Sequence, residues 1–561
     1  PDKLGSYMAE FCAMIDSYGV KCAFYGHIAT GELHLKPVLN LRTNEGVELL
    51  QRISYDTAML VKKYRGSLSG EHGDGRLRAG FIPLVLGNTI YQCLTEVKNV
   101  FDPRHIFNRG KIIDAPCIAD DLREQRLLHE PKITTFFDYS KTNGLLHGIQ
   151  RCNGSADCRK SHFVGGLMCP SFMASHDEKD STRARANLLR EILADEKLSK
   201  PFASEALHDI LDLCLMCKGC KAECPSGIDM TRYKAEFLQY YYLAHHASLR
   251  TRLVAGITRI NRLGAWFPAI FNFFATNNFF STALKNLLGF AHQRHIPILG
   301  KTTLKKWAKT YLKQNNGSGK KILFFADEFI NYTDVEIGKK ALMLLVKLGY
   351  NVEIAPVSES GRTWFSKGML RQAKKISQKN IKKLSALVSE HAPLVGIEPS
   401  AILSFRDEIP DIVGDDLSKT AGLVAGNSFT IEEFIVKEYE LGNINADLFT
   451  SEVKKIKLHG HCHQKALSTT LPTRKMLSIP VNYQVEEIPS GCCGMAGSFG
   501  FEKEHFDLSM KIGGLVLFPA IKKAGDDYLI VAPGTSCRQQ IKEGTGKKAF
   551  HPVEVLYNSL V

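Results

Sequence analysis

Residues 214–225 read Cys214-Leu215-Met216-Cys217-Lys218-Gly219-Cys220-Lys221-Ala222-Glu223-Cys224-Pro225. This C-x2-C-x2-C-x3-C-P spacing projects thiolates from one tight loop that can grip three corners of a cubane iron–sulfur cluster, while the last cysteine serves a neighbouring cluster. Structural zinc tolerates wider pairing of its four thiolates and is the weaker match. Upstream, Cys152-x5-Cys158-x10-Cys169-Pro170 has Ser155 where the middle cysteine of a regular run would stand. If Cys169 crosses over, it completes a set with Cys214, Cys217 and Cys220. The remaining set, Cys152, Cys158 and Cys224, then needs a serine, a histidine or water. One [4Fe-4S] cluster is expected, and a second is left open.

Around this loop the 561-residue chain divides by composition. Its 44 % apolar content and 31 Phe exclude wholesale disorder, and its length suits three or four domains. Residues 1–114 read as α/β: a helix over Leu4 to Tyr18, strands at Lys21 to His27 and Glu32 to Asn40, and a helix over Asn44 to Tyr64. Residues 115–236 read as mostly helical with cysteine-bearing loops, including a charged helix from Thr182 to Glu196. Residues 237–319 form a basic, aromatic-rich segment closed by the linker-like Asn315-Asn316-Gly317-Ser318-Gly319. From residue 320 to 561, short strands such as Lys321 to Phe325, Val352 to Ile354, Leu394 to Ile397 and Tyr528 to Val531 alternate with helices, the pattern of parallel α/β units.

That last region looks duplicated. Leu394-Val395-Gly396-Ile397-Glu398-Pro399-Ser400-Ala401 parallels Ile530-Val531-Ala532-Pro533-Gly534-Thr535-Ser536-Cys537, and Glu359-Ser360-Gly361 parallels Cys492-Cys493-Gly494. The first half reads as a copy without its cysteines. The second half, with His461-Cys462-His463, Cys492, Cys493 and Cys537, is expected to carry a redox or cluster site. The flanking Gly491 and Gly494 permit the sharp turn that adjacent cysteines need to share a metal.

Near the N-terminus, His27 and His34 flank the Gly31 turn, and Glu71-His72 stands among glycines. Two imidazoles and a carboxylate with open positions suit a divalent cation, and a histidine beside a metal carboxylate suits a general base. No G-x-x-x-x-G-K-[ST] occurs, and no G-x-G-x-x-G opens a helix after a strand, which excludes nucleotide hydrolysis and an internal dinucleotide fold.

Three stretches carry a resemblance: Tyr25-Gly26-His27-Ile28-Ala29-Thr30-Gly31-Glu32-Leu33-His34, Ser69-Gly70-Glu71-His72-Gly73-Asp74-Gly75 and Phe101-Asp102-Pro103-Arg104-His105-Ile106-Phe107-Asn108-Arg109-Gly110-Lys111. They resemble the C-terminal cap domain of FAD-linked D-2-hydroxyacid dehydrogenases, the family of D-lactate, glycolate and D-2-hydroxyglutarate dehydrogenases. The cysteine run is similar to their fused ferredoxin-type domain. Gly491-Cys492-Cys493-Gly494 with Ser536-Cys537 resembles the cysteine-rich CCG domain of glycolate oxidase iron–sulfur proteins and heterodisulfide reductases. The resemblance implies a divalent metal (Zn, Mn or Fe) on His27, His34 and Glu71, proton abstraction by His72, and Asn108 near the flavin. It implies a small 2-hydroxy acid substrate, FAD, and relay through a [4Fe-4S] cluster to a quinone or other acceptor; a homo-oligomer is expected as well. In that family an FAD-binding domain precedes the cap, so this chain is expected to lack it and to hold an incomplete cap. The alternative is an electron-transfer module without its own substrate site.

The formal charge of +14 is regional. No Asp or Glu occurs from Phe237 to Ala326, where thirteen Lys and Arg do, and a second acid-free stretch, Gly361 to Ser389, holds eight more. No groove-reading motif accompanies them, which excludes a nucleic-acid partner. Leu263 to Leu284 runs without charge but contains Pro268, Asn272, Asn277 and Asn278, which argues against a spanning helix. An in-plane helix pair on anionic lipid is one reading, and a basic bridge between domains is the other. The clustered cysteines read as ligands in a reducing compartment, so the chain is expected in the cytoplasm, peripheral on the inner face of the membrane in the first reading.

Overall fold

The computed structural model describes residues 2–27, 29–124, 133–195 and 197–561. The chain forms two compact units, residues 1–131 and 132–561. It is a mixed α/β protein with a helical majority.

In the first unit, the helices Leu4–Ser17 and Asn44–Tyr64 bury Phe11, Ile15 and Ile53 against a two-stranded hairpin of β1 (Cys22–His27) and β2 (Glu32–Pro37). Thr43 starts the second helix by accepting a hydrogen bond from the Gly46 amide at 3.1 Å. The hairpin is antiparallel, with His27 opposite Glu32 and Tyr25 opposite His34. Side chains alternate along a strand, so His27 and Tyr25 share one face with Glu32 and His34.

The second unit opens with short helices around a core that includes Cys152, Cys158, Cys169 and Cys220. Ser181 caps the helix Thr182–Ala194 by accepting from the Ala184 amide. That helix ends before Glu196, which lies outside the described residues. Two four-stranded parallel sheets follow. The first contains β3 (Lys321–Phe324), β4 (Asn351–Ile354), β5 (Leu394–Gly396) and β6 (Ser428–Thr430) in the order β4-β3-β5-β6. The second contains β7 (Lys454–Leu458), β8 (Tyr483–Glu487), β9 (Tyr528–Val531) and β10 (Ala549–Phe550) in the order β8-β7-β9-β10. The orders coincide strand for strand. In register, Phe324 pairs with Val395 as Leu458 pairs with Val531. Carried past the ends of their strands, these pairings make Phe325 and Glu328 the counterparts of His459 and Cys462, and Ala401 the counterpart of Cys537.

The linker-like stretch before β3 is pinned. Asn316 Oδ1 accepts from the Val352 amide at 2.8 Å, and a Cβ on Gly317 would stand 2.5 Å from the Gly349 carbonyl oxygen. Among the described residues, no helix is long and apolar enough to cross a membrane. Leu263 to Leu284 runs from the end of the helix Ile257–Gly264 over two further short helices, Pro268–Thr276 and Asn278–Leu288, with Asn277 capping the last through the amides of Phe279 and Phe280.

Candidate functional site

His27, Glu32, His34 and Glu71 each offer one ligand atom, and these atoms lie within 4.8 Å of one another. His27 Nδ1 stands 3.4 Å from Glu32 and 3.6 Å from Glu71, and His34 Nε2 stands 3.4 and 3.7 Å from the same two carboxylates. Two imidazoles and two carboxylates are a donor set for a divalent cation. His34 is the third residue of β2, and the hairpin register brings it beside His27. Glu32 is the ligand candidate that the spacing of the histidines leaves out, although its place opposite His27 follows from the alternation of the strands. Two glycines make room for it: a Cβ on Gly26 would stand 2.2 Å from the Glu32 carbonyl oxygen, and one on Gly70 would stand 2.4 Å from Glu32 Cγ. His72 is exposed, with Nε2 2.9 Å from Glu71.

Asn108 lies on an exposed turn at φ 44°, accepting from Lys111 Nζ at 3.5 Å. Asp102 holds that turn by accepting from the amides of Ile106 and Phe107 and pairing with Lys98 Nζ at 2.6 Å. The Lys98 ammonium keeps its carboxyl down at about 2. Among the described residues this turn presents the Asn108 amide, the exposed Arg104, Arg109 and Lys111, and the exposed apolar Ile106 and Phe107. That makes an open edge without an enclosing cradle.

In the second unit the cysteines separate into three groups. Cys217 is pushed well up by burial and by the neighbouring thiols of Cys462, Cys169 and Cys220, while Cys220 faces Cys214 and Cys169 as well as Asp229. Cys169 and Cys217 thus interact with each other and with Cys220, and Cys214 with Cys220, which is the donor chemistry of a cubane cluster. Burial raises Cys169, but the buried Arg185 guanidinium, with Nη1 3.5 Å from Sγ, and hydrogen bonds from Ser171, Thr182 and the Phe172 amide together outweigh it and hold the thiol below its usual range. Cys152, Cys158 and Cys224 line a second small cavity together with Ser155. There the Cys158 Sγ accepts from the Arg183 amide at 3.3 Å.

The cubane loop is anchored by buried charge. Lys218, between Cys217 and Cys220 at φ 64°, places Nζ 2.5 Å from both Asp407 and Glu408. Burial pulls its ammonium down, but the two carboxylates outweigh that and keep it charged. Arg232 reaches Asp407 at 2.9 Å, and Lys221 also pairs with Asp407. None of these partners is evident from sequence spacing, because Asp407 is 189 residues from Lys218.

The third group lies beside that loop. Cys462 and Cys492 pack in one small core with Cys217 and Leu215, and His463 Nε2 bonds to the Met216 carbonyl at 3.1 Å. The thiols share protons unequally. The Cys492 hydrogen bond draws Cys462 down to about 7, and hydrogen bonds from Cys492 and Cys537 hold Cys493 well below the usual thiol range. His459, Cys493 and Cys537 present donor atoms within 4.8 Å of one another. Gly494 makes the turn at φ 92°, whereas Gly491 is needed for close approach: its Cβ would stand 2.9 Å from the Gly166 carbonyl oxygen.

Residues 1–112 match the family model described as FAD linked oxidases, C-terminal domain, and residues 151–229 match the 4Fe-4S dicluster domain. The chain is similar to the D-2-hydroxyglutarate dehydrogenase of Pantoea ananatis (strain AJ13355), 27% identical over 99% of this chain and 57% of the relative. The Escherichia coli K12 protein of the same name is 27% identical over 99% of this chain and 58% of its own length. One component of the anaerobic glycerol-3-phosphate dehydrogenase of Escherichia coli K12 is 25% identical over 48% of this chain and 66% of its own. The chain therefore spans somewhat over half the length of the D-2-hydroxyglutarate dehydrogenases it matches. The expectation of a missing FAD-binding domain is withdrawn, because the similarity to D-2-hydroxyglutarate dehydrogenases runs through 99% of this chain.

Proposed function

We propose that this chain, with its FAD-linked oxidase C-terminal domain and 4Fe-4S dicluster domain, serves the oxidation of a D-2-hydroxy acid by an FAD-dependent dehydrogenase. D-2-hydroxyglutarate is the first candidate, ahead of D-lactate and glycolate, because relatives named for it align along the whole chain. The observation that carries the reading is the convergence of His27, Glu32, His34 and Glu71 with His72 beside them. A divalent metal bound there supplies Lewis-acid orientation of the substrate's hydroxyl and carboxylate. His72, fixed by its contact with Glu71, takes the hydroxyl proton.

Electrons leave through the cysteine sites of residues 132–561. Cys169, Cys214, Cys217 and Cys220 hold one [4Fe-4S] cluster, and Cys152, Cys158 and Cys224 hold a second whose fourth donor comes from outside the cysteines. The Cys462, Cys492, Cys493 and Cys537 site, placed against Cys217, is the next redox station in a duplicated CCG domain, before a quinone or other acceptor. Metal analysis tests the substrate site: His27→Ala with His34→Ala loses a divalent ion and keeps its iron. Full divalent metal content in that variant overturns the site. The similarity to one component of a multi-chain dehydrogenase supports a pure relay as the second reading. His72→Ala decides between the two: a chain with its own substrate site loses turnover of D-2-hydroxyglutarate, whereas a relay still passes on the electrons of a separate dehydrogenase chain unchanged.

The relay's exit is proposed at an anionic membrane surface. Trp266, Phe267, Phe273 and Phe279 are exposed on the two short helices and their approach, beside the exposed Arg252, Arg259 and Arg262. Apolar side chains flanked by basic ones suit the headgroup region. Deleting residues 263–284 is expected to abolish sedimentation with anionic vesicles, and binding that persists refutes this contact.

A further inference from the structure

The stretch His459-Gly460-His461-Cys462-His463 leaves β7 at its C-terminal end, and its three histidines have different partners. His461 Nδ1 accepts from the His463 amide at 3.1 Å, and its Nε2 stands 3.8 Å from Glu398. His463 is committed through Nε2 to the Met216 carbonyl. Its Nδ1 is unpartnered, but His463 is outside the set of converging donors. His459 is fully buried. Its Nδ1 shares a 2.7 Å hydrogen bond with Ser490 Oγ, while its buried Nε2 makes no hydrogen bond of ordinary geometry and the imidazole interacts with the Cys493 thiol. A buried, unpaired polar atom costs about 1–3 kcal/mol unless something satisfies it. The converging donor atoms are those of His459, Cys493 and Cys537, with Cys462 and Cys492 hydrogen-bonded into the same group.

We propose that His459 Nε2 is a direct ligand of the metal centre held by Cys493 and Cys537, making the site a mixed imidazole–thiolate one. The inference rests on the reading above that these cysteines hold a metal. Ser490 plays the supporting part usual for a metal-bound histidine: its hydroxyl engages Nδ1, which fixes the ring and leaves Nε2 for the metal. The cysteine-free half points the same way. Where it has lost its thiols it also has Phe325 at the position of His459, fully buried and apolar. The imidazole is absent where the thiols are absent. A neutral nitrogen donor in place of a thiolate raises a cluster's reduction potential, so a mixed site beside an all-cysteine cubane cluster is placed to accept electrons from it.

The test uses the full chain, purified without oxygen, with metal and sulfide analysis and X-ray absorption at the edge of the metal found. The expected spectrum holds a nitrogen scatterer that His459→Gln removes, and His459→Cys keeps the metal but lowers the midpoint potential. Ser490→Ala keeps the metal and the nitrogen. A sulfur-only shell in the parent protein, or a spectrum and potential unchanged in His459→Gln, overturns the inference. The underlying reading fails separately: if Cys493→Ser with Cys537→Ser leaves metal and sulfide content unchanged, no centre exists there. Thermal unfolding and circular dichroism identify a variant that has lost metal by misfolding, and His459→Cys then carries the decision.

Discussion

The two α/β halves of residues 320–561 share one strand order and differ at their strand ends. In the second half Cys462, Cys492, Cys493 and Cys537 converge under His459. In the first, the Ser360 amide donates to the Glu328 carboxylate at 2.8 Å and its hydroxyl donates at 2.6 Å. A carboxylate and a hydroxyl thus stand where the counterpart thiols Cys462 and Cys493 stand. The first half binds through charge instead: Asp407, Glu408 and Arg362, all from this half, surround Lys218 of the cubane loop. One copy is read as holding the chemistry and the other as the anchor for the loop that feeds it.

The largest expected effect separates those roles. Cys493→Ser with Cys537→Ser empties the second-half site, whereas Ser360→Ala with Ala401→Ser leaves metal and sulfide content unchanged. Loss of metal in the first-half variant breaks the comparison. Next is the anchor. Lys218→Met removes no ligand but leaves Asp407 only Arg232 and Lys221, and Glu408 only Arg362, to offset its buried charge, at a cost below the roughly 3–5 kcal/mol of a fully unpaired buried charge. The expected readout is a large drop in thermal midpoint together with a weakened cluster absorbance.

The paired glycines come third. Gly494 and Gly361 both take left-handed backbone, at φ 92° and 88°. A Cβ on Gly494 would meet the Ser509 carbonyl oxygen at 2.3 Å, but on Gly361 it would meet the edge of the Phe365 ring at 3.3 Å. Gly361→Ala should cost about 1–2 kcal/mol for the backbone conformation alone. Gly494→Ala should cost clearly more, and equal midpoints would show that the second half does not need its tight turn. The smallest effect is one of pH. Burial raises the Glu328 carboxyl from 4.5 to about 7, so the folded chain keeps a proton that the unfolded chain gives up. The stability it contributes is full below pH 4.5 and is lost as pH rises through 7. Glu328→Gln is expected to flatten that part of the stability profile.

Much of this was legible in the sequence because it depends on local spacing. The cysteine run, the helix Asn44–Tyr64 and the strand Tyr528–Val531 follow from patterns a few residues long. The duplication was visible in two matched segments, although β6, β7, β8 and β10 were not picked out. The strands β6 and β10 are only three and two residues long, and β7 alternates lysine with isoleucine and leucine. Glu32 was missed for a different reason. Its role depends on which residue lies across the hairpin, and a spacing along one strand does not express that. Asp407 and Ser490 were missed because they act on residues far away in the chain.

The sequence by itself determined the ligand types, the cysteine groupings and the parallel α/β pattern, since residue chemistry and short periods are local properties. Tertiary structure decided which groups meet: Glu32 with the histidine pair, Cys169 with the downstream run, His459 with Cys493 and Cys537, and Lys218 with Asp407. Those meetings are fixed by strand register and by burial. A buried charge or an unpaired nitrogen must find its partner in space, however far apart the two stand along the chain.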